Sequence, residues 1–161
     1  MQFSPQSKVW IYQSNREFTE TEATEIQKTL NDFVSGWLAH GEDLKAKAEI
    51  FHNFFIVITV DESLVSTTGC SIDASVRVLK DIEQTYGLDL FNRFNMAYRE
   101  NGKIIATNKE TFETLVSIQQ ITPETIVFNN MVSTLADFVS KWEVPFSESW
   151  HQHVFAHLVA Q

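Results

Sequence analysis

Apolar positions along the chain recur with two periods, near two and near four residues, and the switches between them mark the predicted elements. Val9, Trp10, Ile11 and Tyr12 predict a short strand over 8–12, followed by a polar loop at Ser14, Asn15 and Arg16. A helix comes next. Thr19 and Glu22 fit a capping box, Phe18 can staple to Ala23, and Ile26, Leu30, Phe33, Val34, Trp37 and Leu38 recur on one face until Gly41. Leu44, Ala46, Ala48 and Ile50 then alternate with Lys45, Lys47, Glu49 and Phe51, the pattern of a half-exposed strand whose lysines discourage strand addition. Phe54 to Val60 is apolar on both faces, which predicts a central strand covered on two sides and joined to its neighbour by a tight turn at His52 and Asn53.

Asp61 to Ser71 reads as a hydroxyl-rich loop, and Ile72 to Tyr86 as a helix with Val76, Leu79, Glu83 and Tyr86 on one side and Gly87 as its stop. Phe94, Met96 and Tyr98 alternate toward Asn101-Gly102, a favoured two-residue hairpin pair, and Ile104 to Thr107 returns as the partner strand. Thr107 or Asn108 caps a helix carrying Phe112, Leu115, Val116 and Gln119, and Thr125 to Phe128 predicts one more strand. A last helix runs from about Ser133, with Leu135, Phe138, Val139 and Trp142 inward, and ends before Pro145. Hairpins interleaved with helices predict a single α+β domain over 1–161, an antiparallel or mixed sheet of about five to six strands with about four helices packed on it.

Composition narrows the function classes. With 43% hydrophobic residues, 13 Phe and 4 Trp, the 161-residue chain is far from the composition of disordered segments. Lys plus Arg is 12 against 21 Asp plus Glu, and the basic residues are dispersed, so a net charge of -9 argues against nucleic acid and anionic membrane surfaces as partners. The N-terminus carries no apolar run of signal-peptide length, and the lone Cys70 permits no internal disulfide, so a soluble cytoplasmic protein is expected. The apolar surplus leads us to expect a homodimer, which light scattering showing only an 18.5 kDa species would remove. No cofactor is expected. Glycines at 36, 41, 69, 87 and 102 form no dinucleotide-binding G-x-G-x-x-G, and G-x-S-x-G and H-E-x-x-H are absent. Gly36 and Gly41 have phosphate-loop spacing, but Glu42 and Asp43 stand where Lys and Ser or Thr are needed.

Two stretches carry candidate chemistry. Thr68, Gly69, Cys70, Ser71 and Asp73 form a small-residue turn before the second helix, whose N-terminus would favour an anion or a thiolate. In that reading Cys70 is a nucleophile, with His151 as the histidine that the fold brings to it; in the plainer one Gly69 permits an unusual turn, Ser71 or Asp73 caps the helix and Cys70 is a buried filler. In the tail, His153 and His157 are four apart and would share a helical face, as weak metal candidates, whereas zinc needs three or four ligands. Adjacent Asp61 and Glu62 could bind a cation, but strand neighbours point to opposite faces, so a solvated loop start is the simpler reading. Asn129 and Asn130 could contact a polar ligand or serve as turn and cap residues.

Val60-Asp61-Glu62, then Gly69-Cys70-Ser71-Ile72-Asp73-Ala74-Ser75-Val76, and late in the chain Ser149-Trp150-His151 resemble a family of short uncharacterised bacterial proteins, some of which carry the label ABC transporter ATPase. The resemblance implies no activity and no catalytic residue. The label conflicts with this sequence, since an ATP-binding cassette needs a phosphate-loop lysine and a much longer chain. Two functions from different classes follow as expectations. One is a non-enzymatic binding or interaction domain that takes a small molecule or a protein partner through the loop ahead of Cys70. The other is a thiol-dependent enzyme using Cys70.

Overall fold

A computed structural model describes residues 2–158. In chain order the elements of the first half are β1 (Lys8–Gln13), α1 (Glu20–Ser35), β2 (Leu38–Ala39), β3 (Glu42–Asp43), β4 (Lys45–Phe51), β5 (Phe55–Asp61) and α2 (Gly69–Tyr86). Then come β6 (Asn95–Glu100), β7 (Lys103–Asn108), α3 (Lys109–Ser117), β8 (Ile126–Phe128), α4 (Leu135–Lys141), β9 (Glu143–Pro145) and α5 (Trp150–Phe155), the last flanked by 3-10 turns. The expected α+β architecture is present, and every strand pairing is antiparallel. Its strands divide among a sheet of order β1-β5-β4, a sheet of order β7-β6-β8-β9 and the small β2-β3 hairpin. Among the described residues no helix is long and apolar enough to cross a membrane.

The two larger sheets pack face to face, with helices on their outer faces, giving the layers helix, sheet, sheet, helix. Strand alternation shows this directly, because successive residues of β5 enter different cores. Ile56, Ile58 and Val60 meet Ile26 and Leu30 of α1 and Leu79 and Ile82 of α2. Phe55 and Val57 face the other way, against Ala97 of β6, Phe128 of β8 and Trp142. On the far side of the second sheet Met96, Tyr98 and Val127 pack with Phe112 and Val116 of α3 and Phe155 of α5. Every residue of β5 is buried, as a strand apolar on both faces requires. Tight turns at His52-Asn53 and Asn101-Gly102 hold all four residues at positive φ, which explains the residue types found there.

Four expectations are corrected. The first helix stops at Ser35, not Gly41, because Gly36 caps it with its N–H directed to the Phe33 and Val34 carbonyls. His40 and Gly41, at φ 51 and 78, instead turn the β2-β3 hairpin, which leaves Leu38 46% exposed. Second, α2 starts at Gly69 and is capped by Thr68, not by Ser71 or Asp73; the Thr68 hydroxyl accepts from Ser71 N, and Thr68 N donates to Ser71 Oγ. Third, the buried face of α2 is Ser71, Ser75, Leu79 and Ile82, with both serine hydroxyls turned back onto helix carbonyls. Fourth, Val139 is 78% exposed, because the inward stripe of α4 runs through Leu135 and Phe138 to Trp142, and Phe138 stacks on Trp142 at 4.7 Å.

Candidate functional site

The Thr68–Ser71 segment lines a groove of about 710 Å³ between the α2 N-terminus and the β2-β3 hairpin, facing Trp37, Leu38 and His40. Trp37 fixes the floor by donating its indole N–H to the Ser71 carbonyl at 2.8 Å. Thr68, Gly69, Cys70 and Ser71 are therefore brought together, whereas Asp73 is exposed and lies outside the lining. Gly69 is not at positive φ, so the unusual turn expected there is absent. Cys70 is exposed, which overturns its reading as a buried filler. Among the described residues its thiol makes no hydrogen bond, and the histidine that shares its groove is His40, not His151. An exposed thiol without partners should react with a maleimide in the native protein, and Cys70→Ser should change stability by less than about 0.5 kcal/mol. A native thiol that labels only in denaturant would contradict this.

His151 lies elsewhere. It is 1% exposed, stacks on Trp150 at 3.9 Å, lies tilted against Phe112 at 5.3 Å, and its Nδ1 shares a 2.6 Å hydrogen bond with Ser149 Oγ. Burial pushes its pKa down to about 4, so the imidazole is neutral near pH 7. Cys70 sits on the helix layer outside the first sheet, while His151 on α5 packs at the far face of the second. The fold does not bring the two together: Cys70 lines the groove at the α2 N-terminus, and His151 is not among that groove's residues. His153 and His157 are exposed, and among the described residues no three His, Cys, Asp or Glu side chains cluster to hold a metal.

The carboxylate pair is structural. Asp61 is 5% exposed, not solvated. It accepts from the Ser63 hydroxyl and from Ser4 N and Ser63 N, and pairs with Lys45, contacts that hold its carboxyl well below the usual range. Partial burial of Glu62 opposes its ionisation, yet hydrogen bonds from Thr67 N, the Thr67 hydroxyl and Lys8 outweigh it and lower the pKa.

A second cleft, of about 670 Å³, is lined by residues of both larger sheets. Ile11, Tyr12 and Gln13 line it from β1, Met96, Phe128 and Asn130 from the second sheet and its β8 loop, and Trp150 and His151 from α5. The connection into β6 closes the rim with Phe91, Asn92, Arg93 and Asn95. Its floor is a hydrogen-bond chain that crosses between the sheets: Gln13 Nε2 donates to the Met96 carbonyl, Asn130 Nδ2 to Gln13 Oε1 and Trp142 Nε1 to Asn130 Oδ1, each at 2.9 Å. Gln13 is 5% exposed, so the chain satisfies a buried amide and fixes its orientation. Asn129 is a turn residue, its Oδ1 accepting from Met131 N, whereas Asn130 belongs to the cleft. Of the residues singled out from sequence, Asn130, Trp150 and His151 line this cleft; Gln13, Arg93 and Asn95 were not proposed as ligand contacts. Gln13 alone carried a signal, since the alternation of Val9 and Ile11 puts it on the face turned toward the second sheet.

Compared with known proteins, this chain matches no family model, no curated protein and no solved structure.

Proposed function

We propose that the protein is a non-enzymatic binding protein for a small molecule, held in the cleft between the two sheets. The observation that carries this reading is the Gln13–Asn130–Trp142 hydrogen-bond chain. It is built before any ligand arrives and sets fixed amide groups beside the apolar walls of Tyr12, Phe91, Met96 and Phe128. A concave, mostly apolar site with a few oriented polar groups is the common form of a small-molecule site. Its one titratable base, His151, is neutral near pH 7 and already bonded to Ser149, and no nucleophile lines the cleft, which favours binding over catalysis.

Met131 gives a clean test, because it lines the cleft yet is 73% exposed and its side chain has no hydrogen bond to lose. Ligand-observed NMR with a set of small aromatic fragments should find binders to the wild type that Met131→Trp loses while its melting temperature is unchanged. Fragments retained by that variant would place the site elsewhere and overturn the reading.

A second reading, a thiol-dependent enzyme using Cys70, is favoured by one observation: the exposed thiol shares its groove with His40. It requires that alkylation of Cys70 in the native protein slow markedly in His40→Gln. Equal rates in the two chains would remove it.

A further inference from the structure

The charge pattern of the inter-sheet cleft specifies more than an apolar occupant. None of its lining residues is Asp or Glu, although the chain holds 21 of them and carries a net charge of -9. The only charged residue in the lining is Arg93. Of the other three arginines, Arg16 grips Glu22 through two nitrogens and Arg99 pairs with Glu143, while Arg77 lies outside the cleft lining. Arg93 is exposed at the rim and, among the described residues, has neither an ion-pair partner nor a hydrogen bond. Among the described residues the buried indole N–H of Trp150 is also without a partner. The acceptors of the floor, by contrast, are engaged, with Gln13 Oε1 and Asn130 Oδ1 each taking a hydrogen bond. A guanidinium can only donate, so the unpaired Arg93 side chain calls for an acceptor. A carboxylate-free lining with an unpaired guanidinium at its mouth is electrostatically matched to an anion and repels a cation.

We propose that the cleft binds an organic anion with a flat apolar body, a deepening of the binding reading above, on which it rests. The anionic oxygens are taken by the Arg93 guanidinium, and the body lies against Tyr12, Phe91, Met96 and Trp150. Tyr12 and Phe91 lie tilted against each other at 5.2 Å on one wall, and Trp150 and His151 stack at 3.9 Å on another, aromatic surfaces suited to a planar ring system.

Two fluorescent probes that share a ring system and differ in charge separate the two readings: anilinonaphthalene sulfonate and the neutral phenylnaphthylamine. The wild type should bind both, and Met131→Trp should release both. Arg93→Gln should weaken the sulfonate about tenfold, the loss of one charge-assisted contact, while leaving the neutral amine within about twofold. Arg93→Lys should recover part of the sulfonate affinity, and Arg77→Gln, at a residue outside the cleft lining, should change neither probe. Sulfonate affinity that Arg93→Gln leaves unchanged overturns the anion and leaves the cleft intact as a binding site. If neither probe binds, or if Met131→Trp releases neither, the cleft reading falls and the anion with it.

Discussion

Truncating Phe55 to alanine is expected to destabilise the protein by about 3–5 kcal/mol, much of what a domain of this size has to lose. Phe55 is 0% exposed and sits on the central strand where the two sheets meet. Its ring lies 5.0 Å from Phe128 and 4.9 Å from Trp142, so it bridges the layers and does not simply fill one of them. The vacated space cannot easily collapse, because the neighbouring contacts of Val9, Val57 and Ala97 hold the sheets apart. Urea unfolding should show a large drop in midpoint for Phe55→Ala and almost none for Phe94→Ala, whose ring is 57% exposed. Equal, small shifts for the two would mean that the sheets do not share a core.

Acidification from pH 7 to pH 4 is expected to cost stability chiefly through His151. Its folded pKa is pushed down to about 4 by burial, against about 6.5 for an exposed imidazole. Between those values the unfolded chain binds a proton that the folded protein excludes. Stability is therefore complete above about pH 6.5, falls as the pH drops toward 4, and levels off below it, a total on the order of 3 kcal/mol. The lowered carboxylates act in a separate window: Glu22, held near 2 by Arg16 and by Thr19 N, and Asp61 contribute stability that is lost only as pH falls below the ordinary carboxylate range. Denaturant midpoints measured every half pH unit or so should slope between 6.5 and 4 in the wild type and flatten in His151→Gln. Parallel slopes in the two chains would mean that another group carries the acid sensitivity.

Local signals were legible and non-local ones were not. β5 could be read because both its faces are apolar, and the turns at His52-Asn53 and Asn101-Gly102 because few residue types accept positive φ. The β2-β3 hairpin was hidden, since Trp37 and Leu38 continue the helical period of α1 and only the Gly36 cap breaks it. The division into two sheets rests on pairings such as Tyr98 with Val127, between segments that no sequence period connects. For the same reason the cleft was not legible. It is assembled from the end of β1, the connection into β6, the loop after β8 and α5, and an arginine such as Arg93 looks in sequence like any solvated one. Gln13 could have been found by extending the alternation of Val9 and Ile11 one step further, where a buried polar residue needs a partner. A lone Cys70 at a helix start fits an exposed thiol and a buried one equally well until its surroundings are known.

The four tryptophans provide one direct measurement of where a ligand sits. Trp150 lines the inter-sheet cleft and Trp142 donates to Asn130 in its floor, while Trp37 lines the Cys70 groove and Trp10 packs in the core beneath α1 and α2. We would titrate a mixture of small aromatic acids and their amides into nitrogen-labelled protein and follow the four indole N–H resonances. Movement of the Trp150 and Trp142 signals, with Trp37 and Trp10 unmoved, is the result expected of a protein that binds between its sheets. Movement of Trp37 alone, or of none of the four, would contradict it.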